Sequence, residues 1–331
     1  MSRRIILAGG SGFLGQLLAS YLQPHGWEPV VLTRTPTPKA AFKEIAWDGR
    51  TVGDWTQSLE GAEAVINLAG RSVNCRYNAE NRRAIMDSRV DSTRVLGEAI
   101  ADCATPPRAW LNSSTATIYK HTFGPAHDES STDFATALEA KDEFSVSVAL
   151  AWEKAFNEAK LESTLQRAPG QPRAWTPTTR KVALRTTLVF GKVEGGVFRI
   201  LRRLARFGLG GRMGSGRQFV SWIHDEDFCR AVEWVLENPD LSGPVNMAAP
   251  HPLTNAEMMQ TFRRVCGIPV GLPATEWMLE VGAFVMRTET ELLLKSRRVV
   301  PGKLLASGFQ FRFPKLEDAL RDLEQRVRAG R

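Results

Sequence analysis

Apolar residues fall in two rhythms along the first 190 positions of the chain. Short continuous runs, long enough for a buried strand, alternate with stretches where apolar residues recur three and four apart, the spacing of a helix face. The runs are Ile5-Ile6-Leu7-Ala8, Pro29-Val30-Val31-Leu32-Thr33, Ile45-Ala46-Trp47, Ala64-Val65-Ile66-Asn67-Leu68, Ala109-Trp110-Leu111 and a sixth from Val182 to Gly191. Between them, Leu17, Leu18, Tyr21 and Leu22 mark one helix. Ile85, Val90, Val95, Leu96 and Ile100 mark a long one over 79–104, stopped by Pro106-Pro107, and another is predicted from Val146 to Leu161. Strand and helix in strict alternation predict an α/β fold, a doubly wound parallel sheet with helices on both faces.

Further on the rhythm changes. Phe219 to Ile223 reads as one short strand, and His224-Asp225 opens a helix to Leu236, with Asp225 suited to N-capping. From Asn246 the alternation ends and helices dominate: Asn255–Val265 behind a capping Thr254, Trp277–Leu294, and Lys315–Arg328. These features divide the chain into a ligand-binding domain over 1–245 and a smaller, mostly helical region over 246–331. Residues 123–144 are polar and loop-like, and 162–179, rich in Pro, Gln and Arg, read as a surface insertion.

The chemistry is concentrated where strands end. After the first strand come Gly9-Gly10-Ser11-Gly12-Phe13-Leu14-Gly15. Gly10, Gly12 and Gly15 fit G-x-G-x-x-G, while Gly9, Gly12 and Gly15 fit G-x-x-G-x-x-G. Glycine permits a tight turn and close approach of the backbone to a ligand. The following helix aims free N–H groups and its positive dipole end at the turn, which suits a pyrophosphate. The second strand ends at Arg34, nineteen residues past Gly15, where such folds read the adenosine ribose. An acid there would accept from a 2′-hydroxyl; an arginine matches a 2′-phosphate, hence NADP(H). A plain surface arginine is the competing reading. Leu68, Ala69 and Gly70 leave room at a strand end, for a ligand or for helix packing. Ser113, Ser114 and Thr115 either face the crevice or cap a turn.

Composition narrows the classes. The chain has 331 residues and a net charge of +7, which fits an anionic small-molecule ligand and is too mild to argue for nucleic acid. No apolar run is long enough to span a membrane. Cys75, Cys103, Cys229 and Cys266 are scattered, without metal-ligand spacing or a disulfide framework, and point to the reducing cytoplasm. Arg199, Arg202, Arg203 and Arg206 form a basic stripe, open to reading as a solvated face or as an anion site.

Taken together, the sequence resembles the extended short-chain dehydrogenase/reductase superfamily of the sugar-nucleotide epimerase type, within it the atypical "epimerase family" branch with its own C-terminal region. The resemblance rests on the glycine turn, Asn67-Leu68-Ala69-Gly70, Ser88-Arg89-Val90 with Thr93, Ser113-Ser114-Thr115-Ala116, Trp152-Glu153, Arg185-Thr186, Gly214-Ser215-Gly216 with Gln218, Ser221-Trp222-Ile223-His224 and Gly308-Phe309. It implies a Rossmann-like NADP(H) domain with a substrate-side region. It also implies cofactor contacts at Gly9, Gly12, Phe13, Leu14, Gly15, Arg34, Leu68, Ala69, Gly70, Ser113, Ser114 and Arg185, and places the Thr115 hydroxyl toward the nicotinamide. The departure is the superfamily's Tyr-x-x-x-Lys acid/base pair. The three tyrosines, Tyr21, Tyr77 and Tyr119, are followed four residues later by His25, Asn81 and Phe123, and the expected positions hold Ser145 and Ala149. Two readings stand: an oxidoreductase or epimerase whose acid/base lies elsewhere, with Tyr119 the candidate beside Thr115, or an NADP(H)-binding sensor or scaffold without turnover.

Overall fold

The computed structural model describes residues 3–134, 144–161, 179–192, 196–275 and 295–329. The expected helix over 277–294 and most of the 162–179 insertion lie outside them. The first βα unit is strand β1 (Arg3–Ala8) and helix α1 (Phe13–Leu22); β2 (Trp27–Thr33), β3 (Lys43–Ala46) and β4 (Ala64–Asn67) follow. Helix α2 (Ala79–Asp102), β5 (Ala109–Thr115), α3 (Phe144–Glu158) and β6 (Arg180–Thr186) continue the alternation. The seventh strand of the main sheet, β10 (Gly243–Met247), arrives much later. Every pairing in this sheet is parallel, in the order β10-β6-β5-β4-β1-β2-β3. The chain runs outward from β1 through β2 and β3, then crosses back to β4 on the other side of β1. That reversal opens a crevice beyond the carboxyl ends of β1 and β4.

Both faces of the sheet are covered, so its strands are apolar on both sides. Ile5, Leu7, Val31, Ile66 and Leu111 pack with Leu18 and Leu22 of α1 and with Phe228 and Val232 of α5 (Asp225–Glu237). Their sequence neighbours Ile6, Ala8, Val30, Leu32, Val65 and Trp110 pack on the opposite face with Val95, Leu96 and Ile100 of α2 and Phe156 of α3. The period of two assigns successive residues to opposite layers.

The predicted sixth strand over 182–191 divides. β6 ends at Thr186, whose successor Thr187 turns toward β10, its amide and hydroxyl both donating to the Met247 carbonyl. β7 (Leu188–Phe190) then pairs with β9 (Trp222–His224) in a separate two-stranded ladder. The predicted strand over 219–223 divides too. β8 (Phe219–Val220) pairs antiparallel with β11 (Leu253–Thr254), and between β8 and β9 the Ser221 hydroxyl bonds the 297–299 backbone. A third core joins α4 (Val197–Arg206), α6 (Asn255–Cys266) and α8 (Leu316–Ala329) through Phe198, Leu201, Met259, Phe262, Leu320 and Leu323. A one-turn helix α7 (Gly302–Ala306) lies beside β10. Thr254 and Glu257 close a full capping box on α6. The position of the expected boundary, residue 245, falls within β10, where Val245 pairs with Leu184.

Candidate functional site

The glycine turn connects β1 to α1 at the mouth of the crevice. Gly9 has φ +73°, and a Cβ on it would stand 2.7 Å from Ala69 Cα, so glycine is required both by conformation and by space. Gly15 meets the turn itself: a Cβ there would come within 2.3 Å of Gly10 Cα. Gly12 differs. Its φ of −78° suits any residue, and its nearest neighbour to a Cβ would be the Gly9 carbonyl at 3.8 Å. The fold does not need a glycine at this position, and its absence of a side chain leaves the backbone open on that side. Gly12 is also the N-cap of α1 and offers no side chain, so the first N–H groups of the helix have no side-chain cap.

Asn67, fully buried at the end of β4, shapes the facing wall. Its Nδ2 donates to Asn112 at 2.8 Å and Thr93 at 3.2 Å, and its Oδ1 accepts from the Ala69 amide at 3.1 Å. Thr93 in turn accepts from the indole of Trp152. Four elements therefore hold the turn that lays Leu68, Ala69 and Gly70 along the crevice.

Between these walls lies a cavity of about 830 Å³. Gly9, Ser11, Gly12, Thr33, Arg34, Leu68, Ala69 and Gly70 line it, as do Trp47, Asp48 and Arg50 from the segment after β3. Arg34 is exposed at its rim, and no hydrogen bond or ion pair ties it down among the described residues. Thr33 fixes its base by donating to the Ser11 hydroxyl. Asp48 spends its carboxylate on its own loop, accepting from the Arg50 and Thr51 amides and the Thr51 hydroxyl. The Thr51 amide, more than any other group, holds its pKa below the usual carboxylate range. The place of Asp48 on the cavity is set by β3 pairing with β2, which no local signal in the sequence announces.

The carboxyl end of β5 is built differently. Ser113 and Thr115 are half-buried and Ser114 points inward. The Ser114 hydroxyl donates to Glu153 of α3. Arg185 of β6 grips the same carboxylate through Nε (2.8 Å) and Nη2 (2.7 Å), and its Nη1 donates to the Tyr119 hydroxyl at 2.9 Å. Tyr119 is 0% exposed, lies parallel to His127, and its hydroxyl donates to Asn246 Oδ1 at 2.9 Å. Asn246 continues into the Val300 carbonyl and the Glu129 carboxylate. Burial lowers the Arg185 pKa, and the Glu153 contacts more than offset this, leaving it raised. Burial raises the Tyr119 pKa against the smaller opposing pull of Arg185.

This network gives two of the expected site residues protein partners. Arg185, expected on the cofactor, commits its guanidinium to Glu153 and Tyr119. Tyr119, expected as an acid/base, is a sealed hydroxyl with its donor and acceptor roles taken. Both are absent from the cavity wall, as are Ser113, Ser114 and Thr115. Thr115 keeps a half-buried hydroxyl that bonds Thr117, and Ser114 serves the network. The sequence pairs Glu153 with Trp152 but says nothing of its partners, which come from strands 32 and 39 residues away.

One expectation is corrected at α5. Its N-cap is His224, whose Nδ1 accepts from the Glu226 amide and whose Nε2 faces Asp322. Asp225 is the first helical residue, buried, and clasped by both terminal nitrogens of Arg326 at 2.8 and 2.7 Å. Asp225 also borders Gly191: a Cβ there would stand 2.7 Å from the Phe13 ring and 2.9 Å from Asp225 Oδ2. Gly191 thus sits close to both Phe13, at the start of α1, and the Asp225–Arg326 clasp. The basic stripe of α4 is partly spent as well, Arg202 and Arg206 reaching Glu324 of α8.

Among the described residues no helix is long and apolar enough to cross a membrane, and no cluster of three or more His, Cys, Asp or Glu could hold a metal ion.

Comparison with known proteins follows the same lines. Epimerase family protein SDR39U1 of Bos taurus is 31% identical over 97% of this chain and 99% of its own length. Epimerase family protein YfhF of Bacillus subtilis is 30% identical over 96% and 97%. The crystal structure of human epimerase family protein SDR39U1 (isoform 2) with NADPH superposes with a TM-score of 0.79 at 30% identity, covering 97% of this chain and 99% of that one. Residues 274–323 match a domain of unknown function, DUF1731. Residues 5–248, which carry the glycine turn, the crevice and the sheet, match the NAD dependent epimerase/dehydratase family, and the chain belongs to that family.

Proposed function

We propose that the crevice binds NADP(H), with the adenosine end against Arg34, and that the protein is an oxidoreductase or epimerase acting on a small, anionic substrate without a Tyr–Lys pair. The observation that carries the cofactor choice is Arg34, an exposed cation with no protein partner among the described residues, standing at the cavity rim where an acid would favour NAD. The NADPH in the human relative's structure supports it. Gly9, Gly12 and the α1 N-terminus would hold the diphosphate. Bound there, the cofactor would supply a hydride donor or acceptor. Thr115 is the proposed hydroxyl for polarising a carbonyl, a role that requires its bond to Thr117 to be exchanged for one to substrate, and residues 246–331 would form the substrate side. The free cysteines, Cys75, Cys103, Cys229 and Cys266, fit a cytoplasmic setting.

A specific observation favours a second reading, a cofactor-binding protein without turnover. The tyrosine nearest Thr115 in sequence is enclosed, and Ser145 and Ala149 stand where the family's pair is expected. General acid–base help is worth about 10²–10⁴ in rate, so its loss separates the two readings experimentally.

The test is titration of NADPH and NADH into wild type and Arg34→Ala. NADPH should bind the wild type more tightly, and the variant should lose about 1.5–3 kcal/mol toward NADPH alone. Equal wild-type affinities would end the NADP(H) assignment. NADPH oxidation over a panel of carbonyl and sugar-nucleotide substrates then decides between slow turnover and none.

A further inference from the structure

Among the described residues, eight large apolar side chains stand exposed, and four of them lie on two loops that touch. Phe207 (74% exposed) and Leu209 (47%) follow α4; Val270 (63%) and Leu272 (59%) follow α6. The loops are knit through their backbones. The Leu272 amide donates to the Gly208 carbonyl at 2.7 Å, and the Gly211 amide donates to the Leu272 carbonyl at 3.1 Å. Glycines make this approach possible. A Cβ on Gly211 would stand 2.4 Å from the Leu272 carbonyl carbon, and one on Gly271 2.9 Å from the Gly210 carbonyl carbon. Each loop therefore turns its small residues inward and its large apolar ones out.

The surroundings of these four side chains are cationic. Residues 207–217 and 267–275 contain no acid. Arg203, one turn before Phe207 on α4, is exposed, as is Arg212 after Gly211, and neither is in an ion pair among the described residues. Arg206, next to Phe207, is exposed and has Glu324 at 3.8 Å. That carboxylate also serves Arg202 and Arg328, so three guanidiniums share one negative charge. Arg263 donates to the Gly210 carbonyl rather than to an acid.

The charge decides what such a patch can meet. A second copy of the chain, docked patch to patch, would bring two sets of arginines together, and like charges oppose that contact. A partner helix needs a groove to lie in, whereas side chains this exposed form a projection. We infer that the two loops are a docking tip for the surface of an anionic phospholipid bilayer. Phe207, Leu209, Val270 and Leu272 enter the boundary between headgroups and acyl chains, and Arg203 and Arg206 meet lipid phosphates. The contact is peripheral and requires no membrane-spanning helix. It also divides the basic stripe of α4: Arg202 is committed to the protein, and Arg203 faces out for the lipid.

Cosedimentation of the full chain with sucrose-loaded vesicles tests this, independently of any cofactor. Wild type should bind vesicles of phosphatidylglycerol and phosphatidylcholine in equal parts, and bind phosphatidylcholine alone about tenfold more weakly or worse. A chain of net charge +7 is drawn to anionic lipid in any case, so the deciding variant leaves the charge unchanged. Phe207→Ser combined with Leu272→Ser should weaken binding to the mixed vesicles about tenfold or more, with the melting temperature kept. Arg203→Gln combined with Arg206→Gln should weaken it about tenfold as well, and lysine at both positions should restore it. Arg94→Gln combined with Lys154→Gln removes the same charge from α2 and α3 and should cost less than about twofold. Three results overturn the inference: no binding of wild type to the mixed vesicles, undiminished binding by the serine variant, or a control pair as damaging as Arg203 with Arg206. A dimer seen in sedimentation equilibrium that the serine variant dissolves also overturns it, since a second copy then covers the patch.

Discussion

The two ends of the crevice use similar polar residues to opposite effect. At the β1–β2 end, Arg34 is exposed and unattached among the described residues, Gly12 leaves space the fold does not fill, and the α1 amides have no side-chain cap. At the β5–β6 end, Ser114, Glu153, Arg185, Tyr119 and Asn246 satisfy one another in an enclosed chain of hydrogen bonds. Donors able to take a ligand lie at the first end. At the second they are spent on one another, the Tyr119 hydroxyl among them. Reading a polar residue as functional therefore requires knowing whether a neighbour has already claimed it.

The sharpest way to break the contrast is to open the closed end. Glu153→Ala strands the Arg185 guanidinium in a buried site, and should cost about 3–5 kcal/mol in urea unfolding, the scale for removing one partner of a buried ion pair. A cost below about 1 kcal/mol would show that the network is not a structural unit. Next is to close the open end. Gly12→Val fills the space above the turn, where a Cβ would meet only the Gly9 carbonyl at an ordinary 3.8 Å contact. NADPH affinity should fall roughly a hundredfold, as for two lost charge-assisted hydrogen bonds, with the melting temperature essentially kept. Normal NADPH binding by this variant would make the turn purely structural. The mildest probe is Tyr119→Phe. It leaves Arg185 Nη1 and Asn246 Oδ1 each short of a partner and should cost about 1–3 kcal/mol of stability, with NADPH affinity unaltered. A loss of affinity without loss of stability would place Tyr119 at the cofactor after all.

Much of the open end was legible in the sequence because it is local. Gly9 to Gly15 sit within one turn, Arg34 is the next residue after a recognisable strand, and Asn67 to Gly70 end another. The helices and strands themselves followed the apolar rhythm, since both faces of the sheet are buried. The closed end was legible only as residue types. Its contacts join positions 114, 119, 153, 185 and 246, which the sheet order brings together and no spacing encodes. The divisions at Thr187 and Ser221 were missed for the same reason: each is dictated by a distant backbone, Met247 for one and Arg297 to Val299 for the other. The N-cap of α5 is His224 and not Asp225 because the helix starts one residue early; Asp225, its first residue, still accepts from the Glu226 amide while Arg326, 101 residues on, holds its carboxylate.

That clasp is also a long-range closure. Asp225 and Arg326 stand 101 residues apart, so the carboxylate gains its counter-charge only when α8 has docked against the start of α5. The electrostatic balance at the head of α5, which borders Gly191, therefore depends on a helix remote in sequence.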